Sequence, residues 1–194
     1  QATPYSAFID SYNFSILSLC PELFFRKTGD RIMVKPMKGT IAPGQGHAAR
    51  LKNDPKNRSE NLMIVDLLRN DLGRIARTGT VRTTRLFDIE KYKTVYQMTS
   101  TIEAEVARDI KLYDLFQGLF PSGSVTGAPK IRTMQIIREL EKEERRIYTG
   151  SIGRFGVAGG MELNIAIRTL AASDGKVQFG VGGGIVADSD PEAE

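Results

Sequence analysis

The segment 53–76, "NDPKNRSENLMIVDLLRNDLGRIA", sets Ile64, Leu67, Leu68, Leu72 and Ile75 at three- and four-residue spacing. That is one apolar stripe on a helix, and a stripe of this width has to be covered. Asp54 is a cap for its start and Pro55 suits the first turn, where a missing N–H costs nothing. Glu60 lies one turn before Ile64, so it is expected along the buried side, where a lone carboxylate needs a partner or a metal.

The chain on either side of this helix is written in the two-residue period of strands. Residues 14–19 and 23–26 read as strand, Thr28-Gly29-Asp30 is a turn, and 31–35 returns as a hairpin that runs on to Lys38. In "RIMVKPMKGT" an unbroken strand puts Ile32, Val34, Pro36 and Lys38 on one face, so Lys38 follows the apolar side. Partial desolvation there favours a neutral amine, which is a nucleophile or base; the alternative is that Pro36 breaks the register and Lys38 is a surface charge. "TVYQMTSTIEAEV" alternates Val95, Gln97, Thr99 and Thr101 against Tyr96, Met98, Ser100 and Ile102. A short helix through Leu112, Leu115, Phe116 and Leu119 follows. "FPSGSVTGAPK" is then a loop whose backbone N–H groups suit an anion, leading into a helix with Ile131, Met134, Ile137 and Leu140 on its apolar side. Three extended runs, 148–156, 162–170 and 176–181, predict an antiparallel meander, with Glu162, Asn164, Ala166 and Arg168 forming a polar wall. Gly182-Gly183-Gly184 lets a ligand approach the backbone with no Cβ in the way, and Asp190-Pro191 reads as a new helix start.

Composition narrows the chemistry. The chain has 194 residues, 41% hydrophobic and 26% charged, enough for one domain with its own core. No run approaches membrane-spanning length, "QATPYSAFID" lacks the form of a secretory signal, and a cytoplasmic protein is expected. The single cysteine, Cys20, forms no internal disulfide, and a single histidine, His47, excludes a Cys/His zinc site. The net charge of +4 permits nucleic-acid binding, but it is scattered among acids without an aromatic–basic array and suits a small anionic ligand at least as well as a polymer; no nucleic-acid partner is expected. Separated carboxylates at Glu60, Glu192 and Glu194 suggest a hard cation such as Mg2+. Arg168 near free backbone N–H groups suggests a carboxylate substrate. Each has a plainer reading, as an ion pair, a helix cap or a turn.

Taken in order, "ENLMIVDLLRNDLGRIA", "FPSGSVTGAPK", "YTGSIGRFG", "LNIAIRTL" and "GVGGGIVADSDPEAE" resemble the chorismate-utilising enzymes, the family of anthranilate, aminodeoxychorismate, isochorismate and salicylate synthases. The resemblance covers nearly the whole chain. It implies an α+β fold of two packed antiparallel sheets with helices outside, Mg2+ dependence and a substrate with two carboxylates. It also implies a chorismate-binding catalytic domain over 1–194, incomplete against relatives that carry a longer N-terminal portion and a longer last helix.

Within that family, "PMKGT" is similar to the aminodeoxychorismate synthase pattern, where anthranilate synthases usually place alanine at the lysine position. The resemblance makes Lys38 a nucleophile toward ring carbon 2 of chorismate and Glu22, in "CPELF", the general acid for the departing hydroxyl. Gly39, Thr40, Gln97, Ser124, Tyr148, Arg168, Gly182, Gly183 and Gly184 become substrate-binding residues, and Glu60 and Glu194 become Mg2+ ligands. The implied partner is a glutamine amidotransferase supplying ammonia, and the implied product feeds a lyase making 4-aminobenzoate for folate. Two departures stand out: Gln97 replaces a histidine common among relatives, and the segment 44–53 is short. The alternatives are an anthranilate or isochorismate/salicylate synthase, or a catalytically silent module that binds chorismate or an effector.

Overall fold

The computed structural model describes residues 3–157, 159–186, 189, 190 and 192. In chain order its strands and helices are β1 (Tyr5–Asp10), β2 (Ser15–Cys20), β3 (Leu23–Thr28), β4 (Arg31–Lys35), β5 (Met37–Ile41), α1 (His47–Asn53), α2 (Pro55–Gly73), β6 (Arg82–Lys91), β7 (Tyr96–Glu105), α3 (Leu112–Leu119), α4 (Lys130–Leu140), β8 (Gly153–Phe155), β9 (Met161–Asn164), β10 (Thr169–Ser173) and β11 (Lys176–Phe179). A single 3-10 turn, Gly123–Val125, interrupts the loop between α3 and α4.

The strands form two sheets in which every pair is antiparallel. One sheet has the order β1-β2-β10-β11. In the other, β7 pairs β6 on one edge and β4 and β5 in succession on its other edge, and β3, β9 and β8 continue from β4. The class is α+β, as the resemblance implied.

The long helix starts where its cap predicts. Asp54 accepts from the Asn57 N–H at 2.8 Å, Pro55 is the first residue, and Ile64, Val65, Leu68 and Leu72 are buried. They pack on Phe24, Phe25, Ile32, Val34 and Ile102, so α2 covers the sheet through a core to which α3 adds Leu115 and Leu119. Burying each of these side chains contributes roughly 1.5–3 kcal/mol. Leu51, Phe87 and Met98 form a smaller cluster under α1.

The segment 47–53 forms α1, whose N-cap Gly46 carries no side-chain cap and whose inward residue is Leu51 alone; one buried leucine in seven residues leaves no stripe to read. Three expectations are corrected. The run 162–170 is not one strand of a meander. It divides into β9 and β10, which lie in different sheets, because the chain turns a corner over 165–168 with Arg168 at φ 51°. The apolar side of α4 is not covered: Ile131 and Leu140 are 73% and 74% exposed, and no residue of this helix is buried. Glu60 is half-buried, since the face turned inward one residue later belongs to Asn61. Strands β1 and β6 carry no strong alternation and appear only in the fold. Among the described residues no helix is long and apolar enough to cross a membrane.

Candidate active site

The corner between the sheets is built twice. β2 passes into β3 through Pro21-Glu22, and β9 passes into β10 through 165–168; β2 pairs β10 and β3 pairs β9. The Ile165 N–H donates to the Glu22 carbonyl at 3.2 Å and the Leu19 N–H to the Arg168 carbonyl at 3.0 Å, so both crossings are bonded to each other. Asn164 fastens the same corner. It is 3% exposed, accepts from the Ile152 N–H at 3.0 Å and donates to the Tyr5 carbonyl at 2.9 Å. These bonds satisfy a buried amide that would otherwise cost a few kcal/mol.

Glu22 sits in this corner, 5% exposed. Cys20 holds its backbone from below: the sulfur accepts from the Glu22 N–H at 3.2 Å and donates to the Glu22 carbonyl at 3.4 Å. Burial pushes the Glu22 carboxyl up to about 7, against the opposing pull of the Ser124 hydroxyl, the Lys38 charge, the Met37 N–H and the Arg168 charge. Its Oε1 is buried without a hydrogen-bond partner. A carboxyl that is largely desolvated, and protonated for much of the neutral range, is a proton donor waiting for an acceptor. Burial likewise lifts the Cys20 thiol to about 11, which leaves it an inert supporting group.

Lys38 reaches the same place from the other sheet edge. Pro36 does not break the register: Val34 pairs Ile102, Met37 pairs Thr99, and between them the Pro36 carbonyl accepts from the Ser100 N–H at 3.1 Å. The shift comes later, between Met37 and Thr40, where Gly39 has φ 85°. A Cβ at Gly39 would stand 2.8 Å from the Asn57 side-chain oxygen, so this bulge takes glycine for its backbone and for its space. Below it, Ser100 donates to Asn61 at 2.6 Å, tying β7, the strand on which the Lys38 strand pairs, to α2. The half-buried Lys38 ammonium donates to the Ser124 carbonyl at 3.5 Å, a long contact that aims it without enclosing it.

Ser124 is placed by the loop that carries it. The Ser122 hydroxyl accepts from the Ser124 N–H at 3.4 Å, and Lys130 at the foot of α4 pairs with buried Asp71 at 2.5 Å and donates to the Leu119 carbonyl at 3.1 Å. The third wall is glycine. A Cβ on Gly182 would stand 2.7 Å from the Tyr148 hydroxyl, and one on Gly184 would lie 3.5 Å from the Lys38 ammonium. The glycine turn therefore passes over Tyr148 and reaches Lys38.

Of the residues expected to act, Glu22, Lys38, Ser124 and Arg168 form one group, and Tyr148, Gly182 and Gly184 adjoin it. Gly39 and Thr40 follow Lys38 on β5. Buried Gln97 donates to the Thr40 hydroxyl at 3.3 Å. Gly183 lies within the glycine turn. Glu60 makes no hydrogen bond or ion pair among the described residues, and Glu194 lies outside them. No group of three or more His, Cys, Asp or Glu side chains among the described residues is arranged to hold a metal ion. Glu60 fits as one oxygen ligand of a hard cation, and the described residues do not complete the set. Cys20 and Asn164 escaped the sequence reading as supports of the site. Cys20 gave no pattern beyond standing two residues before Glu22, and Asn164 had the pattern of any polar residue on a sheet face.

The model of the chorismate binding enzyme family matches residues 1–194. The chain is 45% identical over 197 aligned residues to aminodeoxychorismate synthase component 1 of Escherichia coli, covering 98% of this chain and 44% of that protein. It thus spans less than half the length of that curated relative. Anthranilate synthase component I of Streptococcus pneumoniae superposes with a TM-score of 0.81 at 32% identity, over 90% of this chain and 40% of that one. The menaquinone-specific isochorismate synthase of Escherichia coli gives 0.83 at 23% identity, over 94% and 43%, a likeness of fold.

Proposed function

Because this chain belongs to the family of chorismate binding enzymes, we propose that it is the catalytic part of an aminodeoxychorismate synthase, converting chorismate and ammonia to 4-amino-4-deoxychorismate. The observation that carries the proposal is that the Lys38 charge bears on a buried carboxyl, Glu22, whose Oε1 has no hydrogen-bond partner. The kinship in sequence to aminodeoxychorismate synthase component 1 points the same way.

The reaction divides into two displacements. The neutral Lys38 amine bonds to ring carbon 2, the ring double bonds shift, and the hydroxyl on carbon 4 departs as water with the proton of Glu22. Ammonia then bonds to carbon 4, the double bonds shift back, and the Lys38 nitrogen leaves carbon 2. The proton lost by ammonia returns to Glu22 or to solvent. Glu22 serves here because its side chain is dry: an exposed carboxyl would hold too little of the acid form at neutral pH. The Ser124 carbonyl aims the amine. Arg168 and the glycine turn supply charge and open backbone for substrate carboxylates. Tyr148 closes the turn from behind.

Mg2+ belongs to the same proposal, with Glu60 and Glu194 as oxygen ligands; support comes from Glu60, a half-buried carboxylate with no partner among the described residues. When bound, the ion would hold the ring carboxylate and polarise the ring. A glutamine amidotransferase is the proposed source of ammonia.

The test is incubation of the protein with chorismate, Mg2+ and ammonium, followed by mass spectrometry of the product. Formation of 4-amino-4-deoxychorismate, converted to 4-aminobenzoate by added lyase, supports the reading. Anthranilate or isochorismate as product overturns the role given to Lys38. Chorismate bound but returned unchanged favours a silent module.

A further inference from the structure

Arg145 belongs to none of the residue sets above, yet its guanidinium joins three segments. Its Nε and Nη2 donate to the two Glu141 oxygens at 2.7 and 2.5 Å, and Nη1 donates to the Val125 carbonyl at 3.1 Å. The guanidinium carbon also lies 5.9 Å from the centre of the Tyr148 ring. The Arg145 carbonyl accepts from the Tyr148 N–H at 2.9 Å, so the two residues form one turn. The fork to Glu141 is a bidentate pair, whose planar geometry fixes the guanidinium before it meets anything else.

What makes this matter is the helix before it. No residue of α4 is buried. Beyond it, the 147–150 turn is tied to the corner between the sheets by the Thr149 N–H on the Ala166 carbonyl at 3.0 Å and the Ala166 N–H on the Gly150 carbonyl at 2.9 Å, and Arg145 adds the tie to the Val125 carbonyl. Val125 follows Ser124, whose carbonyl receives Lys38; Tyr148 lies under Gly182, where an added Cβ would stand 2.7 Å from its hydroxyl. One guanidinium therefore spans the amine's support and the support of the glycine turn.

We propose that Arg145 is a positioning residue that sets the distance between the Ser124–Val125 support of Lys38 and the Tyr148 wall beneath the glycine turn. Its kinetic consequence rests on the chorismate-amination reading; its structural consequence does not. Replacing the fork with an uncharged or single-pronged side chain loosens the 122–128 loop against the 147–150 turn, which then keeps only its backbone bonds to Ala166. The neighbouring Arg146 is exposed and serves as a control.

The experiment compares Arg145→Gln, Arg145→Lys and Arg146→Gln by hydrogen exchange without substrate and by steady-state kinetics with chorismate. In Arg145→Gln, exchange in peptides covering 122–128 and 147–150 should rise roughly tenfold while the rest of the chain keeps its protection. The value of kcat/KM should fall on the order of a hundredfold. Arg145→Lys should recover part of the loss, as should guanidinium added to Arg145→Gln, and Arg146→Gln should change neither readout. If Arg145→Gln does not fold, Arg145→Lys is read the same way, with a smaller rise in the same two peptides. Unchanged exchange in both segments overturns the proposal, as does a rise spread evenly along the chain. Local loosening in a protein that does not turn over chorismate upholds the positioning role and defeats the substrate reading alone.

Discussion

The two sheets are packed on different terms. In the larger, Phe25, Ile32, Val34 and Ile102 are at most 1% exposed beneath α2. In the smaller, the cross-strand row Phe8, Leu17, Leu170 and Phe179 is 70%, 40%, 36% and 52% exposed, although its register is regular across all four strands. The proposed chemistry falls along this division. Lys38 stands on the well-packed sheet and Glu22 at its corner, whereas Arg168 and the glycine turn stand at or beyond the open sheet. A nucleophile and an acid have to meet a reacting carbon to within fractions of an ångström, which close packing provides; groups that grip a charged substrate tolerate more movement.

Replacing Lys38 by alanine gives the largest expected effect, a loss of 4-amination on the order of 10,000-fold or more, with a thermal midpoint close to that of the parent. Product analysis by mass spectrometry checks it, and substantial residual amination would remove the covalent step. Glu22→Gln should lower kcat by roughly 100- to 10,000-fold.

The same substitution also changes the dependence of stability on pH. The Glu22 carboxyl moves from an ordinary 4.5 to about 7 on folding, so between those values the folded chain holds a proton that the unfolded chain has lost. Its contribution is complete below about 4.5 and disappears as pH rises through 7. Burying the charge then costs on the order of 3 kcal/mol at higher pH. Glu22→Gln is therefore expected to be the more stable protein at pH 8, with the advantage shrinking toward pH 5, as urea titrations at the two pH values would show. An advantage that grew toward pH 5 would contradict the burial of this carboxyl.

The packing contrast is tested directly by a pair of truncations. Leu72→Ala, at a side chain 0% exposed, should cost about 3 kcal/mol by leaving a cavity under α2. Leu170→Ala on the open sheet should cost below about 1 kcal/mol. Equal costs would mean that the open face is covered in solution. Gly182→Ala is expected to raise KM for chorismate roughly tenfold through the clash with Tyr148, leaving the urea midpoint of the larger sheet unchanged.

Much of this was written locally. The Asp54 cap, Pro55 and the stripe from Ile64 to Leu72 locate α2, because a helix's register depends on neighbours within one turn. The hairpin through Thr28-Gly29-Asp30, and Lys38 at its end, follow from alternation and a turn. The motifs around Ser124, Tyr148 and Arg168 mark the family, which the family comparison bears out, and supply the expected site residues.

Other features depended on contacts distant in sequence. "MELNIAIRTL" alternates the same way whether it stays in one sheet or turns between two, since alternation records faces and not partners. Only pairing with β3 on one side of 165–168 and with β2 on the other makes the corner that buries Glu22. The elevated pKa of Glu22 is likewise a property of that burial, invisible in "CPELF". The same is true of Arg145. Its pairing with Glu141 and its contact with Tyr148 are local in sequence, but Val125 reaches it only when the loop before α4 and the turn after it come together in space.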